Sequence, residues 1–275
     1  MHGGPRFREP VVIDDDVRRE LLTVESLAPL HNGPALRALA DAQAVFPDLS
    51  HVAVFDTGFH ATIPPEASTY ALPKQWREEW DVHRYGFHGL SVQWSAEQVR
   101  VPRLVVCHLG GGCSVTAVLE GHSVDTTMGF SPLEGVPMAT RSGSIDPGAI
   151  VYVMREHGVG YDKLDDVLNH ESGLKGLAGG SGDMRDVEER ARAGEEDAQL
   201  ALDVFVYRVA AAVAAMSAAT RGLDALVFTG GVGEGSQLVR DRVRERLAFL
   251  GDFRVEVVES REELVAARAA VACLS

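Results

Sequence analysis

The chain has 275 residues, of which 45% are hydrophobic, and its formal net charge is −14 at pH 7. A chain of this length can bury a sizeable core, in one large domain or in two modest ones. Binding to nucleic acid or to an anionic membrane depends on basic surface charge, so the acidic balance argues against both as partners. The cysteines Cys107, Cys113 and Cys273 lack metal-site spacing, and their odd number is expected in a reducing cytoplasm.

Apolar runs between turn-forming residues predict five strands. In chain order these strands are Val52–Phe55, Leu104–Cys107, Ser114–Leu119, Leu226–Phe228 and Val255–Val258. Four further segments are predicted as helices, namely Pro34–Val45, Ala149–His157, Ala198–Thr220 and Gln237–Leu250. Strands mixed with long helices predict an α/β fold.

One segment bears on whether the chain crosses a membrane, and another bears on which part of it faces solvent. The longest apolar run, Val204–Ala219, contains Tyr207 and Arg208 and is rich in alanine, which favours a buried helix of a globular protein. We therefore predict neither a signal peptide nor a membrane span. The charged stretch Asp183–Asp197 is typical of a solvated helix and turn.

Arg141 lies among turn-forming residues in Asp125–Pro147, DTTMGFSPLEGVPMATRSGSIDP. A guanidinium stays charged at physiological pH and presents a planar fork of donors that suits phosphate or carboxylate. Its small neighbours, such as Thr140 and Ser142, would let a ligand approach closely. From this loop alone, a surface ion pair with Asp146 is an equally good interpretation.

Two other candidates follow strand or aromatic segments. Asp56 and Thr57 come directly after the predicted strand at Val52–Phe55, where catalytic groups often lie. His88 lies between two glycines in Arg84–Ser91, RYGFHGLS, after an aromatic run that would keep the ring in a partly dry pocket. An Asp after a strand is commonly a helix cap or an Asx turn, and a His between glycines is commonly a surface loop residue. Taken singly, each favours the structural interpretation.

Two glycine-rich turns follow buried strands. In Leu104–Val118, LVVCHLGGGCSVTAV, a triple-glycine turn predicts a hairpin whose tip exposes backbone N–H groups that can bind phosphate. In Leu226–Ser236, LVFTGGVGEGS, a strand leads to four glycines and then to a helix that begins near Ser236. Neither turn fits the dinucleotide or Walker fingerprint, and most such turns are ordinary. The combination of these clusters in one chain is what favours a functional site.

Ten motifs along the chain also match one known family in order. They are HGG at His2–Gly4, LAPLHN at Leu27–Asn32, VFDTGFH at Val54–His60, YALP at Tyr70–Pro73, RYGFHGLS, HLGGG at His108–Gly112, the Arg141 loop, SGDMR at Ser181–Arg185, FTGGVGEGS and SREEL at Ser260–Leu264. In these motifs the chain resembles the acetate kinases, of the acetate and propionate kinase group in the sugar kinase, Hsp70 and actin superfamily. The resemblance implies an actin-like ATPase (ribonuclease H-like) fold and reversible transfer of the γ-phosphoryl group of ATP to acetate.

The resemblance implies roles in catalysis for three residues. Arg141 and His88 match the family's transition-state stabilisers, and Asp56 matches its catalytic aspartate, which orients the acyl substrate or interacts with its metal partner. Phosphoryl transfer asks the protein mainly for positioning and for neutralisation of charge on the transferred group. A fixed guanidinium and an imidazole that can charge near neutrality suit that task. Acetate is already ionised at pH 7, so no strong base is needed.

The resemblance also implies a site for ATP and Mg²⁺. The residues that match its phosphate-binding hairpin, its ribose segment and its adenosine loop are His108, Leu109, Gly110, Gly111, Gly112, Asp183, Met184, Arg185, Gly231, Val232, Gly233, Glu234 and Gly235. Glu262 matches a magnesium-associated carboxylate, and Mg²⁺ needs only a few such ligands beside phosphate and water. Glu262 would equally suit the first turn of a helix capped by Ser260.

Phe87 and Pro132 match the walls of the family's acyl pocket. One methylene is worth only ~1–3 kcal/mol of discrimination, so acetate, propionate and butyrate stay open as the acid. The sequence departs from the family pattern at Gly111 and Gly235, which stand where the family has asparagine, and at Val92, which replaces a histidine. The change at Gly111 removes one donor that would face the phosphates.

The domain boundaries come from the resemblance alone. It implies a remnant of a first lobe at residues 1–57, a second lobe for nucleotide binding and dimerisation at 58–262, and a C-terminal return to the first lobe at 263–275. It further implies that the first phosphate-binding hairpin of the family is missing ahead of Met1. We therefore expect the truncated chain to be inactive alone, or to be a non-catalytic fragment that binds nucleotide weakly. A cytoplasmic homodimer is expected, with the helix near Val204–Ala219 at its interface.

Overall fold

The computed structural model describes residues 1–24 and 29–275, with side chains described for 1–24 and 32–275. Leu27 and Ala28 of the motif at Leu27–Asn32 therefore lie outside the described residues. Asn32, the last residue of that motif, is buried and connects to the HGG motif. Its side chain accepts from the His2 backbone N–H at 2.7 Å and donates to the His2 carbonyl at 3.1 Å. These bonds hold the two motifs together.

The described strands form two sheets. In the small sheet, β1 (Val11–Val12) pairs antiparallel with β2 (Val52–Ala53). The large sheet has the order β5-β4-β3-β6-β7, from strands β3 (Arg103–Leu109), β4 (Cys113–Leu119), β5 (His122–Thr126), β6 (Ala225–Thr229) and β7 (Arg254–Val257). β3 is antiparallel to β4 and parallel to β6. Since parallel strands end at the same sheet edge, the glycine turns after β3 and β6 lie side by side.

The described helices lie between and after these strands. They are α1 (Asp15–Thr23), α2 (Pro29–Val45), α3 (Pro65–Ser68), α4 (Lys74–Glu78), α5 (Gly89–Gln98), α6 (Pro147–His157), α7 (Tyr161–Asp166), α8 (Gly173–Ala178), α9 (Met184–Arg192), α10 (Glu196–Ala219), α11 (Gly230–Gly235), α12 (Gln237–Arg246) and α13 (Glu262–Leu274). Shorter 3₁₀ turns lie at Gly58–Thr62 and Ala248–Leu250, and a π turn lies at Val167–Glu171.

Helix starts near the site follow from capping residues. Asp146 accepts from the Gly148 N–H at 2.8 Å, with Pro147 in the first turn of α6. Asp183 caps α9 by accepting from the Arg185 N–H at 2.9 Å. Ser236 caps α12 by accepting from the Val239 N–H at 3.0 Å. A side-chain oxygen at this position satisfies a backbone donor that the helix leaves unpaired. These caps fix where the loops around the site end.

The large sheet is buried on both faces, which the alternation along β3 explains. Val105 and Cys107 face a core that includes Phe205 of α10, while Leu104 and Val106 face a second core that includes Val92 of α5. By length and composition, α10 is apolar enough to cross a membrane, but ten of its residues are buried against the sheet and its neighbouring helices. The segment Val204–Ala219 is thus a core helix, as predicted.

Residues 1–57 have a small core of their own. Phe7, Leu21, Ala53 and Phe55 form it, with the rings of Phe7 and Phe55 stacked at 5.3 Å. The predicted strand at Val52–Phe55 is only two residues long as β2, because Phe55 turns into this core and Asp56 leads to the site. The helix α13 contacts β1 and β2 of the same small sheet.

Candidate active site

The glycine turn after β3 brings two predicted site residues together. A Cβ atom built on Gly112 would lie 3.2 Å from His88 Nε2 and 3.4 Å from Arg141 Nη1. The His88 ring also stacks on His108, with ring centroids 4.0 Å apart. The side chains of Arg141 and His88 therefore face the same point, beside the backbone of the turn. That space is open only because residue 112 is glycine.

Asp56 fixes the orientation of His88. Its Oδ2 accepts from the His88 backbone N–H at 2.7 Å, and its carbonyl accepts from the Gly89 N–H at 2.8 Å. His88 has a left-handed backbone, with φ of 59°, which is unusual for a residue other than glycine. A Cβ atom on Gly89 would lie 2.3 Å from the Asp56 carbonyl, so glycine is required there. The Nδ1 atom of His88 lies 3.0 Å from Ser114 Oγ, which leaves Nε2 on the side of Gly112.

Arg141 is a half-buried cation beside this turn. Within the described part of the chain, no carboxylate lies within ion-pair distance of its guanidinium. Burial lowers the pKa of Arg141 from its usual value, which reflects loss of water around the charge. The alternative of a surface ion pair with Asp146 does not occur, because Asp146 caps α6. The arrangement favours binding of an anion beside Arg141.

His108 and Glu262 lie on the other side of the stacked ring pair. His108 Nδ1 lies 2.8 Å from Ser91 Oγ and 4.0 Å from Glu262 Oε1. Burial lowers the pKa of His108 well below its usual value, and proximity to His88 lowers it further. Burial and then the charge of Asp56 raise the pKa of Glu262 to about 7. A carboxyl group with a raised pKa beside a second acid is placed to gain from a cation.

No group of three or more His, Cys, Asp or Glu side chains among the described residues could hold a metal ion by itself. A Mg²⁺ ion here would therefore depend on phosphate oxygens and water for most of its ligands, which is its usual way of binding nucleotides. Asp56 and Glu262 fit such an ion, since the charge of Asp56 helps to raise the pKa of Glu262 and a bound cation would offset that repulsion.

A cavity of about 760 Å³ extends from this turn along α9 and α11. Eight residues predicted for nucleotide binding line it: Gly110, Gly111, Asp183, Met184, Arg185, Gly231, Val232 and Gly235. Its volume lies in the range of pockets for small molecules and cofactors. The cavity begins beside the turn because Gly110 lies next to Gly231, where a Cβ atom on Gly110 would be 3.9 Å from the Gly231 nitrogen.

The remaining predicted nucleotide residues lie outside the lining of this cavity. His108 and Gly112 face the side of Arg141 and His88. Leu109 and Gly233 are buried beneath the turns, and the Leu109 side chain is wholly in the core. Glu234 bonds to backbone groups rather than facing the open space. Their proximity to a nucleotide stays a prediction.

Sequence reasoning missed three polar lining residues, Ser181, Glu188 and Ser236. Glu188 is four positions after Met184, so both lie on one face of α9. The Ser236 hydroxyl donates to Glu188, and Arg192 pairs with the same carboxylate at 3.1 Å. The charged composition of Asp183–Asp197 suggested a solvated helix, but the i, i+4 spacing from Met184 was the available signal.

Gly111 is predicted to accept an asparagine with a gain in nucleotide affinity. A Cβ atom there meets nothing within 4 Å, and the residue has no positive φ. An amide that donates to a phosphate would make a charge-assisted hydrogen bond, so we expect Gly111→Asn to tighten MgADP binding roughly 3- to 10-fold. Titration calorimetry measures this. Gly160→Asn, at an equally open glycine outside the cavity, is the control and should leave the affinity unchanged; equal affinities for all three proteins would refute the prediction.

The two residues predicted to line the acyl pocket, Phe87 and Pro132, lie in different surroundings. Phe87 is 3% exposed, and its ring meets His2 edge-on at 5.2 Å. The buried His60 lies with Nε2 at 2.9 Å from the Phe87 carbonyl and Nδ1 at 2.8 Å from Ser123 Oγ. Burial lowers the pKa of His60, so the neutral ring donates to Phe87 and accepts from Ser123. Pro132 is half-buried in the loop before α6. Their contact with an acyl group stays a prediction.

His2 makes the stability of this region depend on pH. It is 1% exposed, its Nδ1 accepts from the Gly4 N–H at 2.8 Å, and burial lowers its pKa from 6.5 to about 4. Because the unfolded chain binds the proton first, this stability is complete above pH 6.5 and is lost as pH falls through about 4. We expect ~2–3 kcal/mol less stability at pH 4 than at pH 7 from this group.

Urea unfolding at both pH values tests the role of His2. In His2→Asn the side-chain oxygen can still accept from Gly4 and does not titrate, so its loss of stability on acidification should be smaller. His122→Asn, at an exposed histidine, is the matched control and should behave like the unaltered chain. Equal acid sensitivity of all three would contradict the assignment.

The fold and site together define a class of protein. A mixed sheet carries two glycine turns at adjacent strand ends, a cavity of about 760 Å³ lined by both turns, and the half-buried cation Arg141 beside the first turn. These features are those of a phosphate-binding α/β protein with the actin-like fold. The acetokinase family model matches residues 1–272, and the chain belongs to this family. The resemblance drawn from the ten motifs is thereby confirmed.

Curated relatives give the same result. The chain is 46% identical over 259 residues to the acetate kinase of Nostoc punctiforme, covering 91% of this chain and 64% of the relative. It is also 46% identical over 277 residues to that of Clavibacter michiganensis, covering 98% of this chain and 69% of the relative. The chain thus spans about two thirds of the length of the relatives it matches.

Solved structures with the same fold include a propionate kinase and an acetate kinase. The propionate kinase from Francisella tularensis aligns with a TM-score of 0.94 at 37% identity, covering 98% of this chain and 76% of that one. The Porphyromonas gingivalis acetate kinase aligns with a TM-score of 0.91 at 33% identity, covering 100% of this chain and 76% of that one. The predicted α/β, actin-like fold is confirmed.

Proposed function

We propose that the protein formed by this chain is an acetate kinase, which transfers the γ-phosphoryl group of ATP reversibly to acetate and yields acetyl phosphate and ADP. The observation that carries this proposal is the convergence of Arg141 and His88 at Gly112, next to the cavity between the two glycine turns. Membership of the acetokinase family supports it.

In this proposal the nucleotide lies in the cavity with its phosphates towards the turn at Gly110–Gly112. An acetate oxygen attacks the γ-phosphorus, the bond to the β,γ-bridging oxygen breaks, and ADP leaves with that electron pair. Arg141 offers its fork to the equatorial oxygens of the transferred group, and His88 donates to them from Nε2. Asp56 keeps the His88 backbone in its left-handed conformation, which holds the ring in place before substrate binds.

Mg²⁺ would be held by Asp56, Glu262 and phosphate oxygens, and when bound it supplies neutralisation of charge on the β- and γ-phosphates. Ser114 and Ser91 assist by orienting the two stacked imidazoles through Nδ1 of each ring. Because acetate is ionised at neutral pH, no residue needs to remove a proton from it. The proposed work of this site is positioning and charge stabilisation.

The acid and the assembly belong to the proposal as well. Propionate is the second candidate substrate, favoured by the likeness to the Francisella tularensis propionate kinase. Side-by-side values of kcat/KM for acetate, propionate and butyrate would rank the acids. We also propose a cytoplasmic homodimer formed through residues 58–262. Leu200 and Tyr207 of α10 are about half exposed, which suits an interface, and light scattering would give the mass in solution.

The lobe boundaries at 57/58 and 262/263 are proposed on similar grounds. The separate small core of residues 1–57 and the contact of α13 with β1 and β2 support a unit distinct from the large sheet. Limited proteolysis, followed by mass spectrometry of the stable pieces, would locate the boundaries.

Two measurements test the proposed reaction. Calorimetry with MgADP tests the nucleotide site. Turnover by the chain is tested with MgATP and acetate in the hydroxamate assay, which traps the acetyl phosphate that is formed as a hydroxamate. If the chain binds MgADP without turnover, the assay is repeated with the chain extended by the part of the Clavibacter michiganensis relative that lies outside the match. Acetyl phosphate formation in either form supports the proposal. Absence of MgADP binding, or of turnover in both forms, would refute it.

A further inference from the structure

We propose that Glu234 is a positioning residue, which fastens the segment that carries Glu262 to the glycine loop of the nucleotide cavity. It thereby sets the Mg²⁺-dependent part of nucleotide affinity. This inference rests on the proposed nucleotide site and assigns Glu234 a role other than direct contact with the nucleotide.

One carboxylate oxygen of Glu234 joins two distant parts of the chain. Its Oε1 accepts from the Gly230 N–H and from the Ser260 N–H, each at 3.0 Å. Gly230 is the first residue of α11, directly after β6, and Ser260 lies two positions before Glu262. Hydrogen bonds from backbone N–H groups to an ionised carboxylate are stronger than those to a neutral acceptor. The start of α13 is thus tied to the start of α11.

Glu234 is not among the residues that line the cavity. Its neighbours Val232 and Gly235 line the cavity, whereas Glu234 is turned towards Ser260. The start of α13 lacks its own side-chain cap, since the N-cap residue Arg261 makes no capping hydrogen bond. Glu234 supplies a fixed acceptor just before that helix. The position of Glu262 therefore depends on a residue of the nucleotide loop.

A second connection runs from the same segment to the other glycine turn. Ser260 Oγ lies 3.4 Å from Ser91 Oγ, which in turn lies 2.8 Å from His108 Nδ1. The Trp94 indole also donates to the Glu259 carbonyl at 3.0 Å. The segment before α13 is therefore bonded to both turns that border the cavity. Loss of Glu234 would remove the link to α11 and leave the link through α5.

The consequence concerns Mg²⁺ more than the nucleotide itself. A carboxylate can bind a Mg²⁺ ion on a phosphate only if its oxygens are held at coordination distance from the ion. Without Glu234, Glu262 would sample a wider range of positions, while Gly231, Val232 and Met184 would still contact the nucleotide. The gain in ADP affinity that Mg²⁺ brings should therefore fall, and the affinity for metal-free ADP should change little.

Calorimetric titration of the full chain with ADP, with and without Mg²⁺, tests this inference. For Glu234→Ala we expect the Mg²⁺-dependent gain in affinity to fall by about tenfold, with metal-free ADP affinity kept within about threefold. Glu234→Gln keeps an acceptor oxygen and should retain most of the gain. Glu259→Ala is the matched control, since that carboxylate is on the same segment, is 67% exposed and pairs with Arg261. It should match the unaltered chain.

A double-mutant cycle with Glu262→Gln separates positioning from general weakening. If Glu234 acts through Glu262, Glu234→Ala should cost nothing further in Mg²⁺-dependent affinity once Glu262 is replaced. Equal weakening of ADP with and without Mg²⁺, or a full Mg²⁺ gain in Glu234→Ala, would overturn the inference. If Glu234→Ala does not fold, the cycle is run with Glu234→Gln, and Glu259→Ala again serves as the control. The small loss of Mg²⁺-dependent affinity in Glu234→Gln should disappear once Glu262 is replaced. A loss that persists without Glu262 would overturn the inference. Failure of the unaltered chain to bind ADP would instead refute the proposed function.

Discussion

Replacing Arg141 with alanine is expected to lower kcat for acetyl phosphate formation by roughly 10²–10³, while MgADP affinity stays within about threefold. The guanidinium faces the space beside Gly112 with His88, and among the described residues no carboxylate is within ion-pair distance of it. Its charge is therefore available for the group in transfer, where donors are worth most. The hydroxamate assay gives kcat, in whichever form of the protein turns over, and calorimetry gives the affinity.

The companion variants make this prediction specific. Arg141→Lys keeps the charge but loses the planar fork, so it should recover only a small part of kcat. Arg155→Ala removes a positive charge from the exposed face of α6, where Arg155 is 69% exposed and pairs with Glu156, and should leave kcat unchanged. A kcat for Arg141→Ala within threefold of the unaltered enzyme would show that the guanidinium does not stabilise the transition state.

The sequence was enough to predict those parts of the site whose structure depends on residues close together in the chain. A three-glycine turn between two apolar strands can form only a hairpin, and β3 and β4 pair in that register from Arg103 and Leu119 to Leu109 and Cys113. The helix expected near Ser236 begins there because its hydroxyl caps α12. The motifs sufficed to identify the family, since ten short segments in one order are unlikely to match by chance.

Contacts between distant segments were beyond local rules. The parallel pairing of β3 with β6 joins residues about 120 positions apart, and only the folded sheet shows that both glycine turns share one edge. β5 was missed because four of its five residues are polar, two of them, Ser123 and Thr126, being buried, although Glu120 and Gly121 form a turn with positive φ that is typical of hairpins. The role of Glu234 was also hidden, because its partner Ser260 is 26 positions away.

The second large effect is expected for Phe228, in the middle of β6 beneath the nucleotide loop. Its side chain is 0% exposed, and β6 pairs with β3 on one side and β7 on the other. The strand therefore has little freedom to close a cavity left by a smaller residue. We expect Phe228→Ala to lower the free energy of unfolding by about 3–5 kcal/mol, measured by urea unfolding of the chain.

Position in the core, rather than membership of the sheet, is the reason for this effect. Val257 is paired with Phe228 across the β6–β7 ladder but is 49% exposed, so Val257→Ala should cost less than about 1 kcal/mol. Phe228→Leu, which leaves a smaller void, should fall between the two. Because Phe228 packs below Gly233 of α11, Phe228→Ala should also weaken MgADP binding, which Val257→Ala should not. A loss of stability under 1 kcal/mol for Phe228→Ala would mean that α11 and α10 can collapse onto the vacated space, and that the floor of the cavity is less rigid than this packing indicates.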